Sequence, residues 1–375
     1  MMDRRWAVNI PWGMVGIVAG IALIGLSAVY SATYTQRGPS PLFYKQMVWM
    51  GMGFIAMLLM LIPDYHTVGR YAYVLYAVSL LLLVLVMFVG RTGMGAQRWL
   101  SLGPFAFQPS ELAKLALTLS LARYFAEAPK QDYCLRDLTV PAVMVLVPLV
   151  LVLKQPDLGT ALMLMLTASL IVLIAGLRVR AVLVIVIIAA TVASTIFLVP
   201  PVQKKLWGSL KPYQQNRIRA FIDPSSDPLG RGYHANQSKI AVGSGQIAGK
   251  GFRKGTQSQM AFLPERHTDF IFAVIAEERG FIGAGVMIVL YLSLLLIGIE
   301  TAKNAKDRLG ALMAGGVVSM IALYVFINVG MAVGVVPVVG VPLPLASYGG
   351  TSVITTFLSI GLLVNIQMRR FMLFY

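Results

Sequence analysis

The chain alternates long apolar runs with short polar segments from end to end. Each apolar run holds about 20 residues, the length a helix needs to cross the hydrocarbon core of a bilayer. The pattern therefore predicts an all-α polytopic membrane protein with about ten transmembrane helices. We place these helices at residues 11–31, 46–63, 71–90, 108–126, 139–154, 158–176, 180–201, 270–299, 309–335 and 348–368.

The composition agrees with a single membrane domain over residues 1–375. Hydrophobic residues make up 58% of the chain and charged residues only 12%, whereas a soluble protein carries about 25% charged residues. One cysteine, Cys134, excludes a disulfide framework, and the three widely separated histidines give no metal-ligand spacing.

The distribution of lysine and arginine predicts the orientation, because short cytoplasmic loops carry an excess of both. With the N-terminus placed inside, thirteen of these residues fall in inner segments and five in short outer segments. The pattern therefore predicts that both termini are cytoplasmic and that the number of spans is even.

A long segment, 202–268, between the seventh and eighth spans falls outside under this topology. It carries eleven lysines and arginines against three acidic residues, which gives a net charge of +8. In a membrane protein this charge indicates an anionic ligand at the outer surface, such as a lipid-linked substrate, and not nucleic acid. Contact with acidic lipid head groups, or simple solubility, explains it equally well at this point.

Asp269 stands at the outer boundary of the eighth span. Ala273, Ala276 and Gly280 share its helix face, so another helix can pack close and leave the carboxylate facing a protein-lined cavity. A partly desolvated carboxylate can act as a base. The alternative is a helix N-cap, in which Thr268 or Asp269 satisfies free backbone N–H groups.

Glu111 and Lys114 lie inside the fourth span, three residues apart and therefore on one helix face. Charged side chains at membrane depth are costly and usually face the bundle interior or a cavity. A functional pair and a buried ion pair that fixes helix packing are both consistent with this pattern.

Further polar groups fall on the same outer side. Arg98 is a candidate phosphate ligand, and Trp99 is either an interfacial anchor or a sugar-stacking platform. Asp157 lies in a tight turn with Gln155, where a turn-forming role is the commoner one. Irregular backbone before the last span could cradle an anion through Ser347, Tyr348, Gly349 and Gly350, and Asn328 adds a polar group in the ninth span.

At these residues the chain resembles the SEDS family (shape, elongation, division and sporulation), and within it the RodA branch. The resemblance extends over nearly the whole sequence and is strongest at residues 262–273. Two stretches, 237–245 and 341–345, favour the RodA branch over the FtsW branch, which serves division. The segments that carry the resemblance are 95–100, 108–114, 154–160, 216–224, 237–251, 262–283 and 328–352.

The resemblance implies a ten-helix fold and peptidoglycan glycosyltransferase activity on lipid II in the bacterial cytoplasmic membrane. It also implies a class B penicillin-binding protein, a transpeptidase, as partner within the membrane proteins of the elongation complex. The essential aspartate of the family falls on Asp269, and its charged pair falls on Glu111 and Lys114.

The implied reaction joins two lipid-linked glycans at the outer leaflet, with Asp269 as general base and inversion to a β-1,4 link. No metal cluster stands out, and a divalent cation between pyrophosphate and protein stays open. The alternatives are a lipid II flippase, a non-catalytic scaffold and a division-type polymerase. Candidate ligands for pyrophosphate or glycan are Arg217, Lys239, Arg266, His267, Gln155, Asp157, Asn328, Ser347, Tyr348, Gly349 and Gly350, with Arg98 and Lys114 as further charge stabilisers.

Overall fold

The structure is a computed structural model. It describes residues 10–35, 38–93, 96–102, 105–130, 132–184, 231–260 and 262–370, and five isolated positions between 187 and 215.

The described chain is dominated by helices. We number the α-helices and β-strands in chain order and count the single 3-10 turn, Leu135–Leu138, with the helix that follows it. The elements are α1 (Trp12–Thr33), α2 (Pro41–Leu59), α3 (Tyr65–Arg70), α4 (Ala72–Val89), β1 (Arg91–Gly93), β2 (Ala96–Leu102), β3 (Phe105–Phe107), α5 (Pro109–Glu127), α6 (Thr139–Lys154), α7 (Leu158–Gly176), α8 (Arg231–Ser244), α9 (Thr256–Gln259), α10 (Ile271–Lys303), α11 (Arg308–Val333) and α12 (Gly350–Arg369).

Among the described residues, 8 helices are long and apolar enough to cross a membrane. A further long helix, α5, is less apolar because it contains Glu111 and Lys114, and most of its residues are buried inside the protein. The predicted span 180–201 lies largely outside the described residues, as does most of 202–230. The prediction of a polytopic all-helical membrane protein is confirmed; the count of ten helices stays a prediction.

The helix ends divide the loops between two faces of the molecule. The site face holds the described residues 34–35, 38–40, 90–93, 96–102, 105–108, 155–157, 245–260, 262–270 and 334–349. On the opposite face, His66 lies between two carboxylates, with Nδ1 2.8 Å from Asp64 and Nε2 2.5 Å from Asp307. Arg369 also pairs with Asp64, at 3.3 Å. The predicted site residues that the structure describes therefore all lie on the site face or one to two helical turns below it.

A small antiparallel sheet, which the sequence analysis did not predict, lies on the site face in the order β1-β2-β3. Arg91 is in register with Trp99, and Leu100 with Phe107. The sheet orders the connection between α4 and α5 and thereby fixes the position of Arg98.

Helix α10 is interrupted at Gly280, within the predicted span 270–299, and the sequence analysis did not predict this break. Gly280 has φ 66° and ψ −165°, outside the helical region, and the part before it forms a short buried helix over 271–279. The remaining residues, 281–303, rise by about 1.5 Å each and are long enough to cross the bilayer.

The backbone groups that lose their helical hydrogen bonds at this break form hydrogen bonds with the segment after α8. The Phe281 backbone amide donates to the Gln246 carbonyl at 2.8 Å, and the Lys250 backbone amide donates to the Glu277 carbonyl at 3.0 Å. Irregular backbone at membrane depth is stable only when such partners exist. The predicted small-residue stripe is in close packing here, since a Cβ on Gly280 would lie 2.3 Å from the Gly249 nitrogen.

Candidate active site

Asp269 lies in the loop between α9 and α10, on the site face. Its Oδ2 atom is 3.3 Å from the position that a Cβ on Gly340 would occupy, and Gly340 has φ +79°. The Asn328 side chain donates to the Asp269 carbonyl at 2.9 Å and to the Val341 carbonyl at 2.7 Å. Asn328 in α11 thus joins the loop that carries the carboxylate to the loop before α12.

The alternative prediction, that Thr268 or Asp269 is the helix N-cap, places the start of the helix one or two residues too early. Helix α10 has Phe270 at its N-cap position, with no side-chain cap. The Thr268 hydroxyl instead donates to Glu265, at 3.2 Å to its carbonyl and 3.1 Å to its carboxylate. Asp269 precedes the cap position.

The segment 343–349 fastens this loop from the other side. The Ser347 hydroxyl donates to the Thr268 carbonyl at 2.6 Å, and the Tyr348 amide donates to the His267 carbonyl at 2.8 Å. The His267 and Tyr348 rings lie 5.7 Å apart between centroids. The Gly349 amide donates to Gln46 at 3.3 Å. In this structure the amides of Tyr348 and Gly349 are therefore used within the protein and do not form an open anion cradle.

Gly350 provides close packing at the start of α12. A Cβ at this position would lie 2.3 Å from the Trp49 ring, so only glycine fits without a shift of that ring. The first turn of α12, on the site face, therefore packs closely against α2.

Arg98 is bound to the turn between α6 and α7. Its Nε donates to the Gln155 carbonyl at 3.1 Å, its guanidinium also donates to the Pro156 carbonyl, and Nη1 lies 3.8 Å from Asp157. The Gln155 side chain donates to the Leu83 carbonyl at 2.9 Å. These contacts make Arg98 and Gln155 positioning groups for the turn, and Trp99 lies beside them, partly exposed, on β2.

Asp157 is the N-cap of α7, which is the turn-forming role expected as the commoner one. Its carboxylate accepts from the Thr160 amide at 3.2 Å and from the Thr160 hydroxyl at 2.9 Å. A Cβ on Gly159 would lie 2.5 Å from the Val339 carbonyl. The turn therefore abuts the 339–340 segment that lies against Asp269.

Glu111 and Lys114 form a buried ion pair at 2.7 Å, with side chains 7% and 2% exposed. Tyr324 of α11 completes the cluster: its hydroxyl donates to Glu111 at 2.8 Å and accepts from Lys114. The sequence analysis missed Tyr324. The available signal was its spacing, because Tyr324 is four residues before Asn328 and shares that helix face.

The remaining predicted cations differ in their surroundings. Arg266 is half-buried, donates to the Ser258 carbonyl, and has its pKa lowered by burial. Lys239 of α8 is exposed, and its side chain crosses Gly334 at the end of α11. Arg217 lies outside the described residues.

Arg266 and His267 also line a cavity of about 310 Å³ between the α1–α2 connection and the Asp269 loop. Burial lowers the pKa of His267, so the ring is neutral near pH 7. Within the described residues, no group of three or more His, Cys, Asp or Glu side chains is placed to hold a metal ion.

These features define a polytopic membrane protein whose polar site, linked by hydrogen bonds between loops, lies at one face of the helix bundle. A family model described as cell cycle protein, covering FtsW, RodA and SpoVE, matches residues 6–371. The chain belongs to this family, as the sequence resemblance indicated.

Individual relatives are similar over nearly their full length. The peptidoglycan glycosyltransferase MrdB of Escherichia coli strain K12 is 39% identical over 370 residues, 98% of this chain and 95% of that protein. A chain of a peptidoglycan synthase complex has a TM-score of 0.81 at 36% identity, covering 96% of this chain and 98% of that one. RodA of Thermus thermophilus has a TM-score of 0.70 at 32% identity, covering 97% and 98%.

Proposed function

We propose that this chain polymerises lipid II into β-1,4-linked glycan strands, with Asp269 as general base. Its class is that of its relatives: the chain is a membrane-embedded peptidoglycan glycosyltransferase. The observation that supports the role of Asp269 is its placement. Its backbone is held by Asn328, its neighbours by Ser347 and Tyr348, and its carboxylate lies against a glycine.

The reaction needs a base because a sugar hydroxyl is a weak nucleophile, and a positioned base accelerates such a step by about 100- to 10,000-fold. The 4-hydroxyl of the acceptor N-acetylglucosamine gives its proton to the Asp269 carboxylate. Its oxygen attacks the anomeric carbon of the growing strand and inverts the configuration. The bond to polyprenyl pyrophosphate breaks, and the leaving group keeps the electron pair.

Pyrophosphate leaves as an anion and needs stabilisation of charge more than a proton. One carboxylate is therefore sufficient, unlike the pair that glycosidases use. Among the predicted cations, Lys114 is paired with Glu111 and Arg266 with a carbonyl, whereas Lys239 is exposed on α8. We assign Lys239, with Arg217, to the pyrophosphate.

The proposed orientation puts both termini in the cytoplasm and the site face outside, where lipid II and the growing strand meet. The excess of lysine and arginine on the opposite face supports it. The proposed partner is a class B penicillin-binding protein within the elongation complex. A structural relative comes from a synthase complex that coordinates polymerization and crosslinking, which supports this assignment.

The alternatives that were open from the sequence are not favoured. Relatives of the MrdB, RodA and FtsW branches are glycosyltransferases by name, and no feature of the site residues that the structure describes favours a flippase.

The test is polymerisation of labelled lipid II by the purified chain with its transpeptidase partner, wild type beside Asp269→Asn. Asp132→Asn is the matched control, because it makes the same substitution at an exposed acid on the opposite face. We expect strands from wild type and control and none from Asp269→Asn. Absence of strands from a folded, partner-bound wild type would overturn the polymerase assignment.

A further inference from the structure

Glu277 is a fully buried carboxylate, 0% exposed, that no step of the proposed reaction uses. It lies in the short helix 271–279, two turns after Asp269. Removing a charged group from water is costly unless hydrogen bonds replace its hydration. A membrane protein that keeps such a group must therefore supply several donors to it.

The donors come from one element, α9, and from the segment just before it. Glu277 accepts from the amides of Gln257 at 2.8 Å and Ser258 at 3.0 Å, and from the Thr256 hydroxyl at 3.3 Å. Lys250 adds an ion pair at 2.9 Å. The carboxylate thus fastens the first turn of α9 to the helix that follows Asp269.

From α9 the contacts lead directly to the Asp269 loop. The Ser258 carbonyl accepts from the Arg266 guanidinium, and the Gln257 carbonyl accepts from the Leu263 amide at 3.3 Å. The residues that donate to Glu277 through their amides therefore hold the loop through their carbonyls. Arg266 is three residues before Asp269, so the loop is fixed at both ends to structures that meet at Glu277.

We propose that Glu277 is a positioning residue for glycosyl transfer, which sets the location of the Asp269 loop through α9 and Arg266. The kinetic part of this inference rests on the proposed function of Asp269. A displacement of about 1 Å at a catalytic group costs on the order of 100-fold in rate. Loss of the Glu277 charge therefore lowers kcat and leaves KM for lipid II nearly unchanged.

Glu278 provides the matched control, since it is the next residue and is buried to a similar degree, 3% exposed. Its carboxylate accepts from the Ser31 hydroxyl in α1. Gln259 of α9 also donates to Ser31, at 3.3 Å to its hydroxyl. Glu278→Gln therefore reports any general loosening of this region without removing the clamp on the Gln257 and Ser258 amides.

The experiment combines a structural and a kinetic measurement on the purified chain with its partner. Hydrogen–deuterium exchange at the Gln257 and Ser258 amides, which bind Glu277 directly, is expected to rise in Glu277→Gln and to stay at the wild-type rate in Glu278→Gln. We expect kcat to fall at least about tenfold in Glu277→Gln, with KM within about twofold of wild type. Lys250→Met removes the ion pair and the 2.7 Å hydrogen bond from Lys250 to the Thr256 hydroxyl but leaves the Gln257 and Ser258 amides bound to Glu277. It is expected to show a smaller fall in kcat and keeps the test available if Glu277→Gln does not fold.

A double-mutant cycle decides whether the effect passes through Arg266. If it does, Arg266→Lys adds little to the loss in Glu277→Gln but multiplies the loss in Glu278→Gln. The inference would be overturned if Glu277→Gln showed faster exchange with unchanged kcat. It would also be overturned if the losses of activation free energy in Glu277→Gln and Arg266→Lys were additive in the double variant. Asp269→Asn in the same assay separates the two proposals. Full activity of this variant would refute Asp269 as the general base, while the exchange rates and the double-mutant cycle would still test whether Glu277 positions the loop.

Discussion

The side-chain amide of Asn328 and the backbone carbonyl of Asp269 lie 2.9 Å apart, and the same amide nitrogen lies 2.7 Å from the Val341 carbonyl. One nitrogen in α11 therefore satisfies two carbonyls from two loops. Both partners are acceptors, which fixes the orientation of the amide. Its Oδ1 atom is buried and accepts no hydrogen bond from the described residues.

Asn328→Ala is expected to impair both folding and activity. The buried Val341 carbonyl and the partly buried Asp269 carbonyl lose their donor, at a cost of about 1–3 kcal/mol for a buried group left unsatisfied. The Asp269 loop also loses its connection to α11. Thermal unfolding and initial rates of strand synthesis check this prediction. Ser319→Ala on the same helix is the control, because the Ser319 hydroxyl only donates within the helix, to the Gly315 carbonyl. Equal losses in both variants would contradict a specific role for Asn328.

Tyr324→Phe removes one hydroxyl from the buried cluster with Glu111 and Lys114. The remaining pair keeps its 2.7 Å contact but loses a donor to the carboxylate, which costs about 1–3 kcal/mol in a buried charged cluster. We expect a lower unfolding temperature and a several-fold fall in kcat. Tyr76→Phe is the comparison, since Tyr76 donates to the Met144 carbonyl away from the site. Wild-type stability in Tyr324→Phe would show that the hydroxyl is dispensable.

Arg98→Lys distinguishes support of the turn from phosphate binding. The guanidinium holds two carbonyls and Asp157 at once, and a lysine cannot reproduce that planar arrangement. We expect the unfolding temperature to fall and KM for lipid II to stay near the wild-type value. Arg91→Lys, at an exposed position of β1, serves as control. A tenfold rise in KM with unchanged stability would restore the role of Arg98 as a phosphate ligand.

Because the His267 ring is buried, we expect the protein to become less stable to unfolding as the pH falls below about 6.5. Burial lowers its pKa below the usual value of 6.5, so the unfolded chain binds more protons than the folded one near and below pH 6.5. This contribution is fully present above pH 6.5 and is lost as the pH falls through the folded pKa. Unfolding temperatures from pH 8 to pH 5 should decline more in wild type than in His267→Gln. Parallel curves for both proteins would exclude this cause.

The helices were predictable because each crossing needs its own apolar run, and the charged interruption at Glu111 and Lys114 marked α5 as an interior helix. The position of the break at Gly280 was not predictable, since the segment 245–251 that packs against it is distant in the sequence. The adjacent charges Glu277 and Glu278, inside a predicted span, were the signal that this helix begins within protein and not in lipid.

Within the site, the sequence placed Asp269, Asn328, Ser347 and Tyr348 on one side, and the structure brings them into one set of contacts. Their individual contacts depended on tertiary structure. The amides of Tyr348 and Gly349 were expected to face an anion, but His267 and Gln46, more than 80 residues away in sequence, accept from them. Arg98 was a candidate phosphate ligand because of its charge and its predicted side. Its partners at 155–157 come from another loop, so the local sequence does not show them.

The most direct test of the account is strand synthesis from labelled lipid II by the partner-bound chain carrying Asp269→Asn, compared with wild type and Asp132→Asn. The substitution keeps the size of the side chain and removes its capacity to accept a proton. The account predicts a fall of at least about 100-fold in kcat, with folding and partner binding retained and the control fully active. Wild-type rates in Asp269→Asn would contradict it, because another group would then have to be the base.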